Sequence, residues 1–166
     1  MFYSAEYCSP LGKLTLATDG QALAGLWIKG QKYFAGRLSL TPIGDHPVLR
    51  QAMDWLDRYF AGKQPAVSEL PLAPVGTDFQ KLVWNLLLEI PYGEHSTYGA
   101  LAKQAAQALN RPSMSAQAVG SAVGRNPISI IIPCHRVLGS DGSLTGYAGG
   151  LDRKRWLLQH EGLNLI

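Results

Sequence analysis

Residues 128–136, ISIIIPCHR, place a cysteine and a histidine directly after an apolar, β-branched run. Such a run is typical of a buried strand or another extended segment in a core. Pro133 restricts the backbone just before Cys134, so we expect the thiol to be held at the edge of that core. A run of small residues follows at 139–150 (GSDGSLTGYAGG), and we expect the thiol to face this loop.

Thiol chemistry at Cys134 would need a lowered pKa or a neighbouring base, because the thiolate is the nucleophile. His135 is the next residue, and since adjacent side chains rarely meet directly, we expect a water to bridge the imidazole and the sulfur. Glu161, at the end of the last predicted helix, is the carboxylate best placed to orient the histidine. The Cys-His pair alone is weak evidence for a catalytic site, because inert buried cysteines outnumber catalytic ones.

The first half of the chain predicts a small sheet followed by one helix. Strands are predicted, with turn residues between them, at residues 2–8, 13–18 and 22–29. Apolar residues recur at helical spacing from Pro47 until Gly62 ends the helix. A proline-rich linker follows at 63–75, so we predict a sheet-plus-helix domain over residues 1–75 that includes this linker.

The second half, residues 76–166, predicts a mostly helical domain. Thr77 and Gln80 form a capping box at the start of its first helix. Further helices are predicted at about 97–109, 113–124 and 151–160. On the helix predicted at about 113–124, the residues that we expect to face the core are Ala118, Val119, Ala122 and Val123. Two short helices around a turn fit a helix-turn-helix and an ordinary helical hairpin alike.

Composition bounds the class of protein. The chain has 166 residues, of which 46% are hydrophobic and 16% charged, so a folded core is expected and a disordered polyelectrolyte is excluded. No apolar run is long enough to span a membrane, and no signal peptide is evident. Two cysteines suggest free thiols in a reducing, cytoplasmic compartment. The net charge of +3 permits nucleic-acid binding without demonstrating it.

The run around Cys134 resembles the signature of the O6-alkylguanine-DNA alkyltransferase family. It is centred on IPCHRV at 132–137, and it extends to RNP at 125–127, GYAGGL at 146–151 and HEG at 160–162. It also includes FQ at 79–80, VW at 83–84, PYG at 91–93 and TYG at 97–99. The resemblance is specific over residues 77–162, whereas residues 1–75 match only in their general sheet-plus-helix pattern.

This resemblance implies an α+β fold in which a small ribonuclease H-like domain precedes a helix-turn-helix domain. It implies a monomer that binds double-stranded DNA in the minor groove and flips out O6-alkylguanine. The alkyl group would pass once to the protein's own cysteine, because the thioether product is stable. No metal and no organic cofactor are required. The sequence leaves O4-alkylthymine open as a second substrate.

The resemblance also implies roles for individual residues. Cys134 is the alkyl acceptor, His135 the base acting through a water, and Glu161 the group that orients it. Asn126 supports the active-site loop, and Tyr98 lies at the phosphate of the flipped nucleotide and donates a proton to the departing guanine. The guanine pocket would be lined by Val137, Tyr147, Ala148 and Gly149. DNA would be contacted by Thr97, Tyr98, Ser115, Gln117 and Ser140.

Two features depart from the family pattern. Gln117 occupies the position where many members carry an arginine that fills the gap left by the flipped base, and glutamine is shorter and uncharged. The connection between Tyr98 and Gln117 is also longer than usual, which affects the expected helix-turn-helix geometry but not the chemistry. Outside the motif, we expect Cys8 to be a core residue and the 153–155 cluster (RKR) to be solvated charges.

Three other functions are compatible with parts of the sequence. A module that binds alkylated bases without accepting the alkyl group would lack the acceptor cysteine, which is present here. A helix-turn-helix regulator would need no buried thiol beside histidine and glutamate. A cysteine hydrolase would turn over repeatedly on acyl substrates and would be indifferent to alkylated DNA.

Overall fold

The chain forms two compact units in the computed structural model, which describes residues 1–36 and 38–163. The first unit comprises Met1–Val75 together with Pro127–Ile131, and the second comprises Gly76–Asn126 and the chain from Ile132 onward. The backbone therefore leaves the second unit for a short segment and returns to it just before Cys134. The sheet-and-helix first unit and the mostly helical second unit confirm the predicted α+β class.

The first unit is built on a four-stranded sheet in the order β3-β2-β1-β4. Its strands are β1 (Phe2–Ser9), β2 (Gly12–Thr18), β3 (Leu23–Ile28) and β4 (Leu40–Pro42). The first three are antiparallel neighbours, and β4 lies parallel to β1. All of β3 is buried although it is an edge strand, because Leu72 and Ile128 each form a parallel bridge to it.

Helix α1 (Pro47–Phe60) covers this sheet with an apolar stripe. Pro47 occupies the first turn, and the His46 ring nitrogen accepts a hydrogen bond from the Val48 amide at 3.1 Å. The proline-rich segment that follows packs onto the same unit instead of running free. Within it, the Ala66 carbonyl accepts a hydrogen bond from the Trp55 indole at 3.0 Å.

The second unit begins with α2 (Asp78–Leu88), whose Thr77–Gln80 capping box is present as predicted. Helices α3 (Tyr98–Ala108) and α4 (Ala116–Gly124) follow, and α5 (Leu151–His160) ends the described fold. The short strands β5 (Ser96–Thr97) and β6 (Val137–Leu138) pair in parallel. The Trp84 indole donates to the Ala122 carbonyl at 2.9 Å and fixes α2 against α4.

Helix α4 differs in two details from the sequence-based prediction. It starts at Ala116 instead of near residue 113, because Ser115 is its N-cap and accepts a hydrogen bond from the Ala118 amide. Ala118 is exposed, so its expected core position is wrong, whereas Val119, Ala122 and Val123 are buried.

The isoleucine-rich segment before Cys134 is buried as predicted, but it is not an extended strand. Only Ile128 makes a strand-like bridge. The Ile131 amide then donates to the Ser129 carbonyl at 2.8 Å across Ile130, whose φ is +73°. This is a γ-turn of the rare, strained kind, and strain at a β-branched residue persists only where the surrounding packing fixes it. Tight turning, and not β-propensity, therefore shapes the approach to the thiol.

Candidate functional site

The Cys134 thiol is held by a second tight turn. Pro133 has φ −82° and ψ 63°, and across it the Cys134 amide donates to the Ile132 carbonyl at 2.8 Å. The Asn126 side-chain amide donates to the same carbonyl at 2.8 Å, so α4 and the thiol segment are tied together. Cys134 then opens a 3-10 turn, Cys134–Arg136, and is only 7% exposed.

His135 lies in a buried relay with Glu161. The His135 Nε2 and Glu161 Oε2 atoms are 2.7 Å apart, and both side chains are essentially inaccessible. An ionised glutamate can only accept, so Nε2 carries the hydrogen and Nδ1 is left as the acceptor in the neutral ring. His135 Nδ1 is buried and has no hydrogen-bond partner within the described residues. The relay therefore presents one proton-accepting nitrogen.

Arg136 holds the glutamate from its other side. Its Nε donates to Glu161 Oε1 at 2.7 Å and a terminal nitrogen donates to Oε2 at 3.1 Å, while the other terminal nitrogen donates to the Ile90 carbonyl at 2.7 Å. The two-point contact fixes the carboxylate geometrically as well as electrostatically. Sequence reasoning did not assign Arg136 a role, although it lies within the quoted motif.

Electrostatics favour a charged Glu161 and a neutral His135. Burial alone would raise the pKa of Glu161, but the hydrogen bonds from His135 and Arg136 and the positive charge of Arg136 outweigh it and hold that pKa well below its usual range. Burial lowers the pKa of His135, and the Glu161 carboxylate only partly opposes this shift. At neutral pH the imidazole is therefore uncharged and able to take up a proton.

The Cys134 thiol is protonated in the resting site. Burial raises its pKa, while a hydrogen bond from Asn126 and the positive charge of Lys154 act in the opposite direction. The thiol therefore does not ionise by its own environment alone, and its reactivity depends on a group that can remove the proton.

Lys154 is part of this site, and the expectation that it is a solvated charge is wrong. Its side chain is completely buried, and its Nζ donates to the Thr145 and Gly146 carbonyls at 2.8 Å and 3.1 Å. A signal existed in the sequence, because residues 154, 157, 158 and 161 follow helical spacing along the buried face of α5. Reading 153–155 as one charged cluster obscured that periodicity.

Tyr98 meets the same loop from the start of α3. Its hydroxyl donates to the Thr145 carbonyl at 3.1 Å and to the Gly146 carbonyl at 3.5 Å. Burial raises the pKa of Tyr98, and negative charge on Cys134 adds to that effect. The phenol therefore keeps its proton over the whole physiological range.

The four predicted pocket residues follow the thiol along the chain. Val137 is buried in β6, Tyr147 and Ala148 are half-buried, and Gly149 is buried at the end of the small-residue loop. The Gly150 amide donates to the Tyr147 carbonyl at 2.9 Å, which closes this loop before α5 begins.

The remaining predicted DNA contacts lie at the starts of the two helices or on exposed positions. Thr97 and Ser115 are the N-caps of α3 and α4, and each accepts a hydrogen bond from the amide three residues onward. Gln117 is exposed on α4, and Ser140 is exposed in the turn after β6. A side chain at Gly99 would come within 3.6 Å of the Ser140 hydroxyl, so Ser140 lies beside α3.

The second cysteine, Cys8, lies outside this site. Cys8 lies in β1 as predicted but is exposed, so its assignment to the core is wrong, because β1 alternates sides and Cys8 faces outward. Both cysteines are free thiols. Among residues 1–36 and 38–163, no group of three histidine, cysteine or acidic side chains could hold a metal ion.

No helix in the described part of the chain is both long and apolar enough to cross a membrane.

Fold and site together define a two-unit α+β protein with a buried thiol next to a His-Glu-Arg relay. Comparison with protein families assigns both units. Residues 78–163 match the 6-O-methylguanine DNA methyltransferase DNA binding domain, and residues 2–74 match the ribonuclease-like domain of the same methyltransferase.

Individual relatives agree with the family match. A methylated-DNA–protein-cysteine methyltransferase of Haemophilus influenzae is 44% identical over 99% of this chain and 88% of its own length. The corresponding protein of Methanosarcina acetivorans is 46% identical over 96% and 98%. The crystal structure of Mycobacterium tuberculosis OGT in complex with DNA superposes with a TM-score of 0.80 at 44% identity, covering 96% of this chain and 91% of that one.

The chain therefore belongs to the 6-O-methylguanine DNA methyltransferase family. Its second unit is a DNA-binding domain and its activity is that of a methyltransferase, which confirms the resemblance on which the sequence analysis relied.

Proposed function

We propose that this protein repairs DNA by moving the alkyl group of O6-alkylguanine in a duplex onto its own Cys134, once per molecule. The observation that carries the proposal is the buried Cys134 thiol beside the His135–Glu161–Arg136 relay in a chain of this family. The relatives' names identify them as methyltransferases between methylated DNA and a protein cysteine.

The first step is removal of the thiol proton. The neutral imidazole of His135 accepts it at Nδ1 through a bridging water, and the ionised Glu161 stabilises the imidazolium that results. Arg136 keeps Glu161 oriented during this transfer. The raised pKa of Cys134, which follows from its burial, is the reason that this relay is needed.

The second step is a displacement at carbon. The Cys134 sulfur forms a bond to the alkyl carbon as the bond from that carbon to guanine O6 breaks, and the electron pair of that bond remains on the base. Tyr98 donates a proton to the departing guanine, since its raised pKa keeps the phenol protonated beforehand. The product is a thioether, which no neighbouring group is suited to cleave.

Guanine selection is assigned to the loop that follows the thiol. Val137, Tyr147, Ala148 and Gly149 would enclose the flipped base, and the half-buried positions of Tyr147 and Ala148 in the small-residue loop support this assignment. Guanine would be the preferred base, with O4-alkylthymine as the alternative to test.

DNA docking is assigned to the starts of α3 and α4. Thr97, Tyr98, Ser115, Gln117 and Ser140 would contact the duplex, and the exposure of Gln117 and Ser140 is consistent with this role. With Gln117 at a position often occupied by arginine, the gap left by the flipped base would be filled by an uncharged side chain.

The same proposal includes the domain organisation, the oligomeric state and the cellular compartment. Residues 1–75 would act as the ribonuclease-like domain and residues 76–166 as the DNA-binding alkyltransferase domain, the last three of which lie outside the described residues. The protein would act as a monomer in the cytoplasm, where a reducing environment keeps Cys134 as the thiol that the reaction consumes.

Mass spectrometry of the intact protein and its peptides, after incubation with a duplex containing O6-methylguanine, tests this function. We expect one added methylene unit per protein, on the peptide that contains Cys134, with no further gain at higher DNA concentrations. A Cys8→Ser variant is the matched control and should gain the same mass. Binding without any mass gain would identify a recognition module instead, and repeated turnover on acyl esters would identify a hydrolase.

A further inference from the structure

Lys154 is a buried cation without a carboxylate partner. Its side chain is 0% exposed, and its Nζ donates only to the Thr145 and Gly146 carbonyls among its contacts in the described residues. A buried ammonium is unfavourable unless it is paired or strongly hydrogen-bonded. The structure therefore retains this charge at a place where an apolar side chain would pack more favourably.

The two carbonyls that accept from Lys154 also accept from Tyr98. The Tyr98 hydroxyl lies 3.1 Å from the Thr145 oxygen and 3.5 Å from the Gly146 oxygen. The Lys154 Nζ is 5.9 Å from the centroid of the Tyr98 ring. Helix α3, helix α5 and the small-residue loop at 139–150, which we call the pocket loop, thus meet at the Thr145 and Gly146 carbonyls, which accept hydrogen bonds from two independent donors.

The anion that acts electrostatically on Lys154 is the Cys134 thiolate, when it forms. Burial lowers the pKa of Lys154 to about 8, and negative charge on Cys134 is the interaction that opposes this shift. The reciprocal effect acts on the thiol, since the positive charge of Lys154 favours its ionised form. Each group therefore stabilises the charged state of the other.

We propose that Lys154 is a positioning residue whose ammonium fixes the pocket loop at Thr145 and Gly146 and supplies the counter-charge for the Cys134 thiolate. This inference rests on the proposed role of Cys134 as the alkyl acceptor. Because Lys154 holds the two carbonyls by itself, the Tyr98 hydroxyl can turn from the loop to guanine without releasing the loop. The loop stays closed during the step in which Tyr98 donates its proton.

Other ionisable groups surround the same place and set the expected pH dependence. His135 lies beside the thiol in the same 3-10 turn and is held by Glu161 from the end of α5, and Arg136 holds that glutamate, while Tyr98 faces the site from α3. His135 remains neutral at neutral pH, and Tyr98 remains protonated, for the reasons given above. In the pH range in which Lys154 loses its proton, Cys134 is the group whose ionisation is coupled to that of Lys154.

Methylation of the thiol without DNA isolates the role of Lys154. Methyl iodide reacts by forming the bond from sulfur to carbon as iodide leaves, so it reports the thiolate and requires no base flipping. In a Cys8→Ser background, the pH dependence of this reaction would be compared among wild type, Lys154→Met and Arg155→Met. Arg155 is exposed on the same helix and is the matched control.

We expect Lys154→Met to move the half-maximal pH of the reaction upward and to leave Arg155→Met at the wild-type position. Each unit of that displacement lowers the rate at neutral pH by about tenfold. Hydrogen exchange measures the loop separately, and amides of residues 143–150 should exchange faster in Lys154→Met than in Arg155→Met. Lys154→Gln keeps a hydrogen-bond donor without the charge, so it should retain part of the loop protection while showing the shifted pH profile.

An unchanged pH profile and unchanged loop exchange in a folded Lys154→Met or Lys154→Gln protein would overturn the proposal. Failure of the proposed function gives a different result, because methyl iodide would then still report the dependence on Lys154 while the O6-methylguanine duplex transfers nothing to wild type. If the duplex methylates wild type and both Lys154 variants at equal rates, the alkyl-acceptor role stands and the positioning role is rejected.

Discussion

The two units of this protein bury polar side chains of different kinds. Among the described residues, the first unit buries uncharged ones, namely Ser4, Thr18, Gln31 and Ser129. The second unit buries the charged and imidazole side chains together with one amide, namely Asn126, His135, Arg136, Lys154 and Glu161. Because a buried charge is far less favourable than a buried hydroxyl or amide, the difference assigns chemistry to the second unit.

The buried polar groups of the first unit serve its backbone. The Gln31 side-chain oxygen accepts a hydrogen bond from the Ile28 amide at 2.7 Å, and the Thr18 hydroxyl donates to the Ala22 carbonyl at 2.6 Å. These contacts end β3 and close the hairpin before it. They stabilise turns and present no titratable group, so the first unit has the properties of a scaffold.

The two cysteines give the largest contrast between the units. Cys134→Ala should abolish methyl transfer, because no other sulfur lies in the relay, whereas Cys8→Ala should transfer at the wild-type rate. DNA affinity should remain nearly intact in both variants, since neither side chain is a proposed DNA contact. Transfer would be followed by peptide mass spectrometry and affinity by titration with a labelled duplex. Full transfer by Cys134→Ala would refute the assignment of Cys134 as the alkyl acceptor.

The two glutamate–arginine pairs give the next contrast. Glu161→Gln leaves Arg136 buried without its counter-charge, and breaking such a pair costs about 3–5 kcal/mol of unfolding free energy. It should also slow methyl transfer by weakening the His135 relay. Glu69→Gln removes an exposed partner of Arg58 in the first unit and should change stability little. Urea unfolding and single-turnover transfer measure the two effects, and equal losses in both variants would refute the contrast.

Acid should weaken the second unit in two stages. The pKa of His135 is lowered in the fold, so the unfolded chain takes up that proton first and stability declines below the unfolded pKa of about 6.5. Glu161 has a folded pKa well below its usual range, so its contribution is present above the unfolded pKa of about 4.3 and is lost as pH falls.

Urea unfolding at a series of pH values would resolve these stages. His135→Asn should remove the upper stage and Glu161→Gln the lower one, while Glu69→Gln keeps both. The same pH dependence in all three variants would show that the acid sensitivity arises elsewhere.

The sequence predicted those parts of the fold and site that depend on local pattern. The α1 stripe, the Thr77–Gln80 capping box and the hairpins follow from residues close together in the chain. The link between His135 and Glu161 spans 26 positions and no spacing rule gives it; the position of Glu161 at the end of the last helix made it the best-placed carboxylate, and the family resemblance implied its role. Its geometry in the structure, with a 2.7 Å contact, matches the implied pairing.

Two failures have physical causes that pattern alone does not capture. Residues 128–132 have strong β-propensity, but the Asn126 amide on the Ile132 carbonyl and the geometry of Pro133 accompany tight turns there instead of a strand. Lys154 was taken as solvated because its neighbours are charged. The helical spacing of residues 154, 157, 158 and 161 marks its position on the buried face, but burial of a lysine also requires acceptors from a distant loop, and those carbonyls carry no sequence signal.

The smallest predicted effect concerns the stability contributed by Lys154 itself. Because its folded pKa is about 8 against 10.5 for an unperturbed lysine, the unfolded chain binds this proton more tightly, and the ammonium lowers stability at neutral pH. Lys154→Met removes that penalty, while Tyr98 still donates to the two loop carbonyls. We expect a gain on the order of 1 kcal/mol in unfolding free energy at neutral pH, after allowance for the lost hydrogen bonds.

That gain should shrink as the pH rises from about 8 to 10.5, since the wild-type lysine then loses its charge. Arg155→Met, on the exposed face of α5, should show no comparable gain. Urea unfolding at neutral and alkaline pH would measure both variants. A loss of stability in Lys154→Met would mean that its hydrogen bonds hold the second unit together, as Gln31 does in the first. A gain in stability combined with slower thiol methylation would mean that the second unit retains a destabilising charge because its chemistry requires it.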